Sequence, residues 1–140
     1  MASVRESVAA LRESRPAQPL SVQLRTLAIE STAAGLPTSV DVQGAERRLD
    51  SDVQVALYRA AQEGLTNIHK HANARTSVLR LVYQTSSVRL EVRDDGRGLG
   101  RDRGGFGLVG LRERVDRLGG SLAVESTPGR GVAVRVEVPG

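Results

Sequence analysis

The chain has 140 residues, 39% of them hydrophobic, which suffices for one domain with a single core. It contains no cysteine, which excludes disulfides and zinc sites with cysteine ligands. The net charge is +4, but the arginines are scattered, and only Tyr58, Tyr83 and Phe106 offer rings on which bases could stack. No apolar run is long enough to span a bilayer. We therefore expect a cytoplasmic domain with no nucleic-acid partner and no direct membrane contact, although it could be part of a membrane-bound protein.

The N-terminal third predicts two helices and a strand. Val4, Val8 and Leu11 have helical spacing over 4–14, and prolines then interrupt the pattern. We interpret 1–15 as the stub of an upstream helix or a linker, and 16–140 as the domain. A second amphipathic helix begins at Leu20 and ends before Gly35-Leu36-Pro37, and a short strand follows over 39–42.

The remaining elements predict a layered domain. A long helix runs from the capping candidates Asp50-Ser51-Asp52 to about Ala72. Strands are expected at 78–83, 88–92, 122–124 and 132–138, with a glycine-rich loop and a helix over 107–118 in between. Strict alternation in these strands indicates a sheet with one buried face, which helices would cover. The sequence therefore predicts an α/β two-layer sandwich with a mixed sheet.

Polar side chains on the long helix form the first candidate site. Glu63, Asn67 and His71 follow one another at intervals of four residues, and Lys70 lies beside them. The amide oxygen of Asn67 suits Mg²⁺, Lys70 and His71 could meet phosphate oxygens, and Glu63 could orient a Mg²⁺-bound water or act in proton transfer. An ordinary exposed polar face has the same spacing, so both interpretations stay open at this point.

Two further motifs follow in the chain. Asp94-Asp95-Gly96-Arg97-Gly98 comes directly after a strand, where a carboxylate could accept the amino hydrogen of adenine, although turns have the same composition. The stretch 104–114 places glycines before a helix whose N-terminus could receive phosphate, or it is simply a flexible loop. It lacks the Gly-Lys-Ser/Thr ending of a P-loop and the glycine spacing of a dinucleotide-binding fold.

The order of these motifs carries a family resemblance. The stretches YRAAQEGLTNIHKHANA, VRDDGRGLG and GFGLVGLRERVDRLGGSLAVESTPGRG resemble the ATPase domain of the GHKL superfamily, which has the Bergerat fold. Within that superfamily, residues 56–139 resemble the catalytic domain of bacterial sensor histidine kinases whose response regulators are of the NarL type. The resemblance implies ATP and Mg²⁺ as ligands, and transfer of the γ-phosphoryl to a histidine on a separate dimerisation domain.

The resemblance also implies roles for individual residues. Asn67 would hold Mg²⁺, Glu63 would be the acidic catalytic residue, and Lys70 and His71 would face phosphates. Asp94 would bind the adenine amino group. The glycines and the leucine of the two loops would shape the pocket and the ATP lid: Gly96, Gly98, Gly105, Gly107 and Leu108.

The sequence departs from the family pattern in two ways. Val132 follows Gly131 where many relatives have a threonine near the adenine pocket, which would lower adenine affinity. The only histidines, His69 and His71, lie in the long helix that would bind the nucleotide. Neither is placed to act as the phosphoryl acceptor, so we expect no self-phosphorylation by this chain. The alternatives are a stand-alone GHKL serine kinase of the anti-sigma-factor type and a regulatory module that binds nucleotide without turnover.

Overall fold

The computed structural model describes residues 18–72, 75–96, 108–127 and 131–140, and the helix predicted over 4–14 lies outside them. Its α-helices are α1 (Leu20–Ala33), α2 (Ser51–Asn67) and α3 (Leu108–Arg117), and a short π-helix (Ile68–Ala72) continues α2. Its strands are β1 (Thr38–Gln43), β2 (Ser77–Tyr83), β3 (Ser87–Asp94), β4 (Ser121–Thr127) and β5 (Gly131–Pro139). No helix in these ranges is long and apolar enough to cross a membrane.

The strands form one sheet in the order β1-β2-β3-β5-β4. β1 pairs with β2 in parallel, and every other pairing is antiparallel. A parallel pair needs a long crossover, which α2 and the π-helix supply. The prediction of a mixed sheet is therefore confirmed.

The helices cover one face of the sheet. Alternate residues of the central strands point into the core and are almost completely buried, as are the α2 residues that pack on them. The fully buried side chains include Leu57, Leu79, Leu81, Leu90, Val88, Val136 and Val138. The predicted two-layer sandwich is therefore confirmed.

Gly64 lets α2 lie close to the centre of the sheet. A Cβ atom at this position would lie 3.0–3.2 Å from the side-chain carbons of Val92 on β3. That separation is tighter than ordinary van der Waals contact, so a larger residue would push the helix outward. Gly64 and Val92 thus fix how closely α2 approaches the strand that ends at Asp94.

The uncovered face of the sheet carries a network of charges centred on Glu91. Its carboxylate accepts a hydrogen bond from Arg135 Nε at 2.6 Å and lies 3.2 Å from Arg93 Nε and 3.6 Å from Arg80 Nη1. Burial alone would raise the Glu91 pKa, but the Arg135 hydrogen bond and the three positive charges outweigh it, so the pKa is lowered. This network ties β2, β3 and β5 together on the face away from the helices.

Helix ends follow the sequence signals closely. Asp50 takes the N-cap position of α2, without a side-chain capping bond. α3 ends just before Gly119, which has φ +74° and lets the Gly120 N–H return to the Val115 carbonyl at 2.9 Å. Gly119 therefore forms a left-handed cap after α3.

Candidate functional site

Several elements end together at one edge of the sheet. β3 ends at Asp94, which pairs with Ser77 at the start of β2, and Gly131 at the start of β5 lies against the Asp94 backbone. The π-helix ends at Ala72, and four residues of chain reach at most about 14 Å, so its end cannot lie far from Thr76. Two of the sequence-predicted motifs, the helix and the aspartate turn, therefore lie at the same end of the fold.

Asp94 is the unusual group at this edge. It is only 3% exposed, and its Oδ1 atom accepts a hydrogen bond from the Gly96 N–H at 2.6 Å. Its Oδ2 atom is buried and has no hydrogen-bond partner in the part of the chain that the structure describes. Buried polar atoms are normally satisfied, so an unsatisfied acceptor needs an explanation, and a ligand that supplies an N–H donor gives one.

The environment of Asp94 raises its pKa. Burial is the largest cause, and the negative charge of Asp95 adds to it, whereas the backbone N–H groups of Gly96 and Val132 oppose it. The carboxylate is thus held in a site that disfavours its charge. A donor placed on Oδ2 would relieve this penalty.

Gly131 forms the wall beside Asp94. Its φ is +85°, and a Cβ there would lie 2.1 Å from the Asp94 carbonyl oxygen and 2.9 Å from Oδ1. Only glycine fits this backbone conformation and this close approach. Val132, the residue that departs from the family pattern, comes next and is 5% exposed, and its backbone N–H donates to the Asp94 carboxyl.

Asp95 plays a part that the sequence did not reveal. Its Oδ1 atom accepts hydrogen bonds from the backbone N–H groups of Arg75 and Thr76, both at 2.9 Å, and Oδ2 accepts one from Thr76 Oγ1 at 3.1 Å. The Thr76 backbone N–H is the largest of the causes that lower the Asp95 pKa. The two adjacent aspartates therefore differ: both carboxylate oxygens of Asp95 accept hydrogen bonds, whereas Oδ2 of Asp94 is buried without a partner among the described residues.

The helical candidates occupy different surroundings. Asn67 is the last residue of α2 and is only 8% exposed, so it is buried and does not belong to an exposed polar face. Glu63 is half-buried and lines a groove of about 270 Å³ whose other walls come from α2 and α3. Lys70 is exposed. The groove is lined by Arg59, Glu63, Gly110, Leu111 and Arg114.

The helix changes form at the predicted phosphate-facing residues. We expected Glu63, Asn67 and His71 at continuous α-helical spacing, but residues 68–72 are π-helical, with a hydrogen-bond step of five residues. The wider turn changes the direction in which residues after Asn67 leave the axis. The side chain of His71 lies outside the described residues. π-Turns are rare and occur often at functional sites.

His69 contacts α1. Its Nε2 atom lies 3.2 Å from Ser31 Oγ, which itself is within hydrogen-bond distance of the Leu36 carbonyl and of Thr38 Oγ1. The imidazole therefore braces the π-helix against the turn between α1 and β1.

The predicted lid falls mostly outside the described residues. Gly98, Gly105 and Gly107 lie outside the described residues. Gly96 is described, and its backbone N–H donates a hydrogen bond to Asp94 Oδ1. Leu108 is the first residue of α3, is half-buried and packs against the core. The far end of the glycine-rich loop is therefore anchored to the body of the domain.

Comparison with known proteins decides the family. Residues 52–140 match the family model of the histidine kinase-, DNA gyrase B- and HSP90-like ATPases. The chain belongs to this family. The matched region contains Asp94, Asp95, α3, the glycine-rich stretches and all of α2 except its first residue.

Individual relatives are signal transduction histidine kinases. Over 120 residues the chain is 42% identical to the signal transduction histidine-protein kinase/phosphatase UhpB of Salmonella typhimurium, covering 84% of this chain and 24% of UhpB. It is 33% identical over 99 residues to DegS of Brevibacillus brevis, covering 69% of this chain and 26% of that protein. The chain thus spans about a quarter of the length of these curated relatives.

Solved structures agree on the fold. The histidine kinase domain of the Erythrobacter litoralis blue-light activated histidine kinase aligns with a TM-score of 0.71 and 25% identity, covering 89% of this chain and 67% of that one. The catalytic domain of the histidine kinase ThkA aligns with a TM-score of 0.67 at 15% identity, covering 86% and 89% of the two chains. The predicted GHKL fold is therefore confirmed.

The contrast between the two aspartates is directly measurable. We expect the Asp94 carboxyl, followed by carbon-13 NMR as pH is changed, to titrate above its ordinary value of 3.8, and Asp95 below it. ATP should move the Asp94 midpoint downward, because a donor on Oδ2 favours the ionised form. Asp95 serves as the internal control and should shift little. A titration midpoint of Asp94 that ATP leaves unchanged would contradict a hydrogen bond from the bound nucleotide to Oδ2.

Proposed function

We propose that this chain binds Mg-ATP and donates the γ-phosphoryl group to a histidine on a separate dimerisation domain, in two-component signalling. The observation that carries the proposal is the buried Oδ2 atom of Asp94, which has no partner among the described residues. Family membership and kinase relatives support a nucleotide as the ligand.

The adenine end of the site is built around Asp94. The 6-amino group of adenine would donate to Oδ2, while Oδ1 stays bonded to the Gly96 N–H. Gly96 and Gly98 would allow the base to approach the backbone closely. The bound base would satisfy the acceptor and exclude water from it, which strengthens the hydrogen bond.

The phosphate end is formed by the C-terminal part of the long helix and the lid. Asn67 would contribute its amide oxygen to Mg²⁺, and Lys70 and His71 would meet phosphate oxygens. Gly105, Gly107 and Leu108 would belong to the lid over the phosphates. Mg²⁺, when bound, neutralises phosphate charge, and Glu63 would orient water or hold a proton beside it.

The acceptor must come from elsewhere. The only histidines of the chain are His69 and His71, and His69 already contacts Ser31 in α1. We therefore propose that the chain does not phosphorylate itself, and that its partners are the dimerisation domain of a parent kinase and, downstream, a NarL-type response regulator. Residues 1–15 would be the stub that leads to that domain, and the catalytic domain, 16–140, would work in the cytoplasm.

Substituting Asn67 should separate metal binding from base binding. Asn67→Ala is expected to weaken Mg-ATP far more than metal-free ATP, because the lost atom is a metal ligand. Asp94→Asn is the matched control, and it should weaken both forms about tenfold to hundredfold, since it removes a charge-assisted hydrogen bond. Calorimetry with and without Mg²⁺ measures both variants, and melting curves check their folding. Equal weakening of both nucleotide forms by Asn67→Ala would assign this residue a structural role only.

Phosphoryl transfer tests the activity itself. With ATP labelled at the γ-phosphate, the isolated chain should acquire no acid-labile label. An added dimerisation domain of the parent protein should become labelled slowly, because the tether that raises its local concentration is absent. Label on the chain alone would contradict the proposal. Label on a serine would indicate a serine kinase, and ATP binding without any transfer would indicate a non-catalytic nucleotide module.

A further inference from the structure

Asp95 joins the two halves of the site. Its carboxylate accepts three hydrogen bonds from residues 75 and 76, which follow the π-helix after a short connection. Its backbone is covalently continuous with Asp94. The Asp95 side chain therefore links the segment that follows the π-helix to the turn after Asp94, the residue proposed to bind adenine.

We propose that Asp95 is a positioning residue for nucleotide binding, because its bonds to Arg75 and Thr76 fix the direction in which Asp94 presents its free Oδ2 atom. The inference rests on the proposed function. Asp95 itself would touch neither adenine nor phosphate. It acts through its neighbour.

Close contacts from β5 and from the turn restrain Asp94 itself. Gly131 lies against the Asp94 carbonyl so closely that a Cβ atom would be 2.1 Å away, and the Gly96 N–H holds Oδ1 at 2.6 Å. The Gly96 bond closes within the turn, and neither contact ties the residues after Asp94, where β3 ends, to another element of the domain. The Asp95 bonds supply that anchor, together with a weaker backbone bond from the Asp95 N–H to the Thr76 carbonyl at 3.4 Å.

The hydrogen bonds suit a carboxylate or an amide in this position. Oδ1 receives two backbone donors at 2.9 Å, and Oδ2 meets a hydroxyl that can also accept. Asparagine would keep its carbonyl on the two N–H groups and would donate its amide to Thr76 Oγ1. Alanine would leave both N–H groups without this acceptor. Asp95→Asn therefore preserves the clamp without the charge, and Asp95→Ala removes it.

A role in positioning differs measurably from a role in stability alone. If Asp95 acts through Asp94, the two residues are energetically coupled, and the effect of Asp95→Ala on affinity disappears once Asp94 has lost its function. A residue that only stabilises the fold would change the melting temperature equally in both backgrounds and would leave affinity unchanged while the protein stays folded.

The experiment measures ATP affinity by calorimetry for the whole chain and its variants, at a temperature where melting curves show each to be folded. Asp95→Ala should weaken ATP by about tenfold, and Asp95→Asn should restore affinity to within about threefold of the unsubstituted chain. Asp41→Ala is the matched control, since Asp41 pairs with Arg80 on the uncovered face at 3.2 Å. It should bind ATP as the unsubstituted chain does.

The deciding comparison uses Asp94→Asn as the background. There, Asp95→Ala should cause no further loss of affinity for ATP. A similar loss in both backgrounds, or no loss in either, would overturn the positioning role while leaving the proposed function intact. If the unsubstituted chain fails to bind ATP, the proposed function falls and this inference with it. Thr76→Val, which removes only the hydroxyl bond, should give a smaller loss with the same dependence on Asp94, and covers the case in which Asp95→Ala does not fold.

Discussion

A carboxylate that is buried with one oxygen unbonded costs free energy, and the edge of the sheet is organised around this single feature. Asp94 keeps Oδ1 on the Gly96 N–H, whereas Oδ2 has no partner in the described part of the chain. The pKa of Asp94 is raised for the same reason, because burial disfavours the charged form of the carboxyl group. A ligand with a correctly placed N–H group would remove the penalty, so under the proposed function this cost in the free protein would favour a base that carries such a group.

The fold holds this carboxylate in place from several directions. Register in the sheet sets Asp94 opposite Ser77, and the glycine conformation at 131 admits the backbone of β5 where any side chain would collide. Gly64 brings α2 against Val92, two residues before Asp94, so the helix that carries Asn67 is set at a fixed height above the same strand. The charge network around Glu91 ties the same strands on the other face, away from the site.

Much of this could be predicted from the sequence. Alternation in the strands and the apolar stripe of the long helix determine the layers, because burial of one face imposes a period that is visible in the residues. Asp94 could be singled out as a candidate from its place after a strand and from the family resemblance, and its adenine-binding role stays a prediction. The roles of Asp95 and Gly64 could not, since each depends on a partner far away in the chain: Asp95 on Thr76, and Gly64 on Val92. The π-turn after Asn67 could not be predicted either, because a single wider turn leaves the helical spacing of apolar residues in the sequence almost unchanged.

Under the proposed function, Oδ2 of Asp94 accepts a hydrogen bond from the amino group of adenine. The most direct test compares ATP with the triphosphate of purine riboside, which lacks only that 6-amino group, by calorimetry on the same chain. We expect ATP to bind about tenfold to hundredfold more tightly, the value of one charge-assisted hydrogen bond, and Asp94→Asn to remove most of this preference. Equal affinity of the unsubstituted chain for the two nucleotides would contradict it.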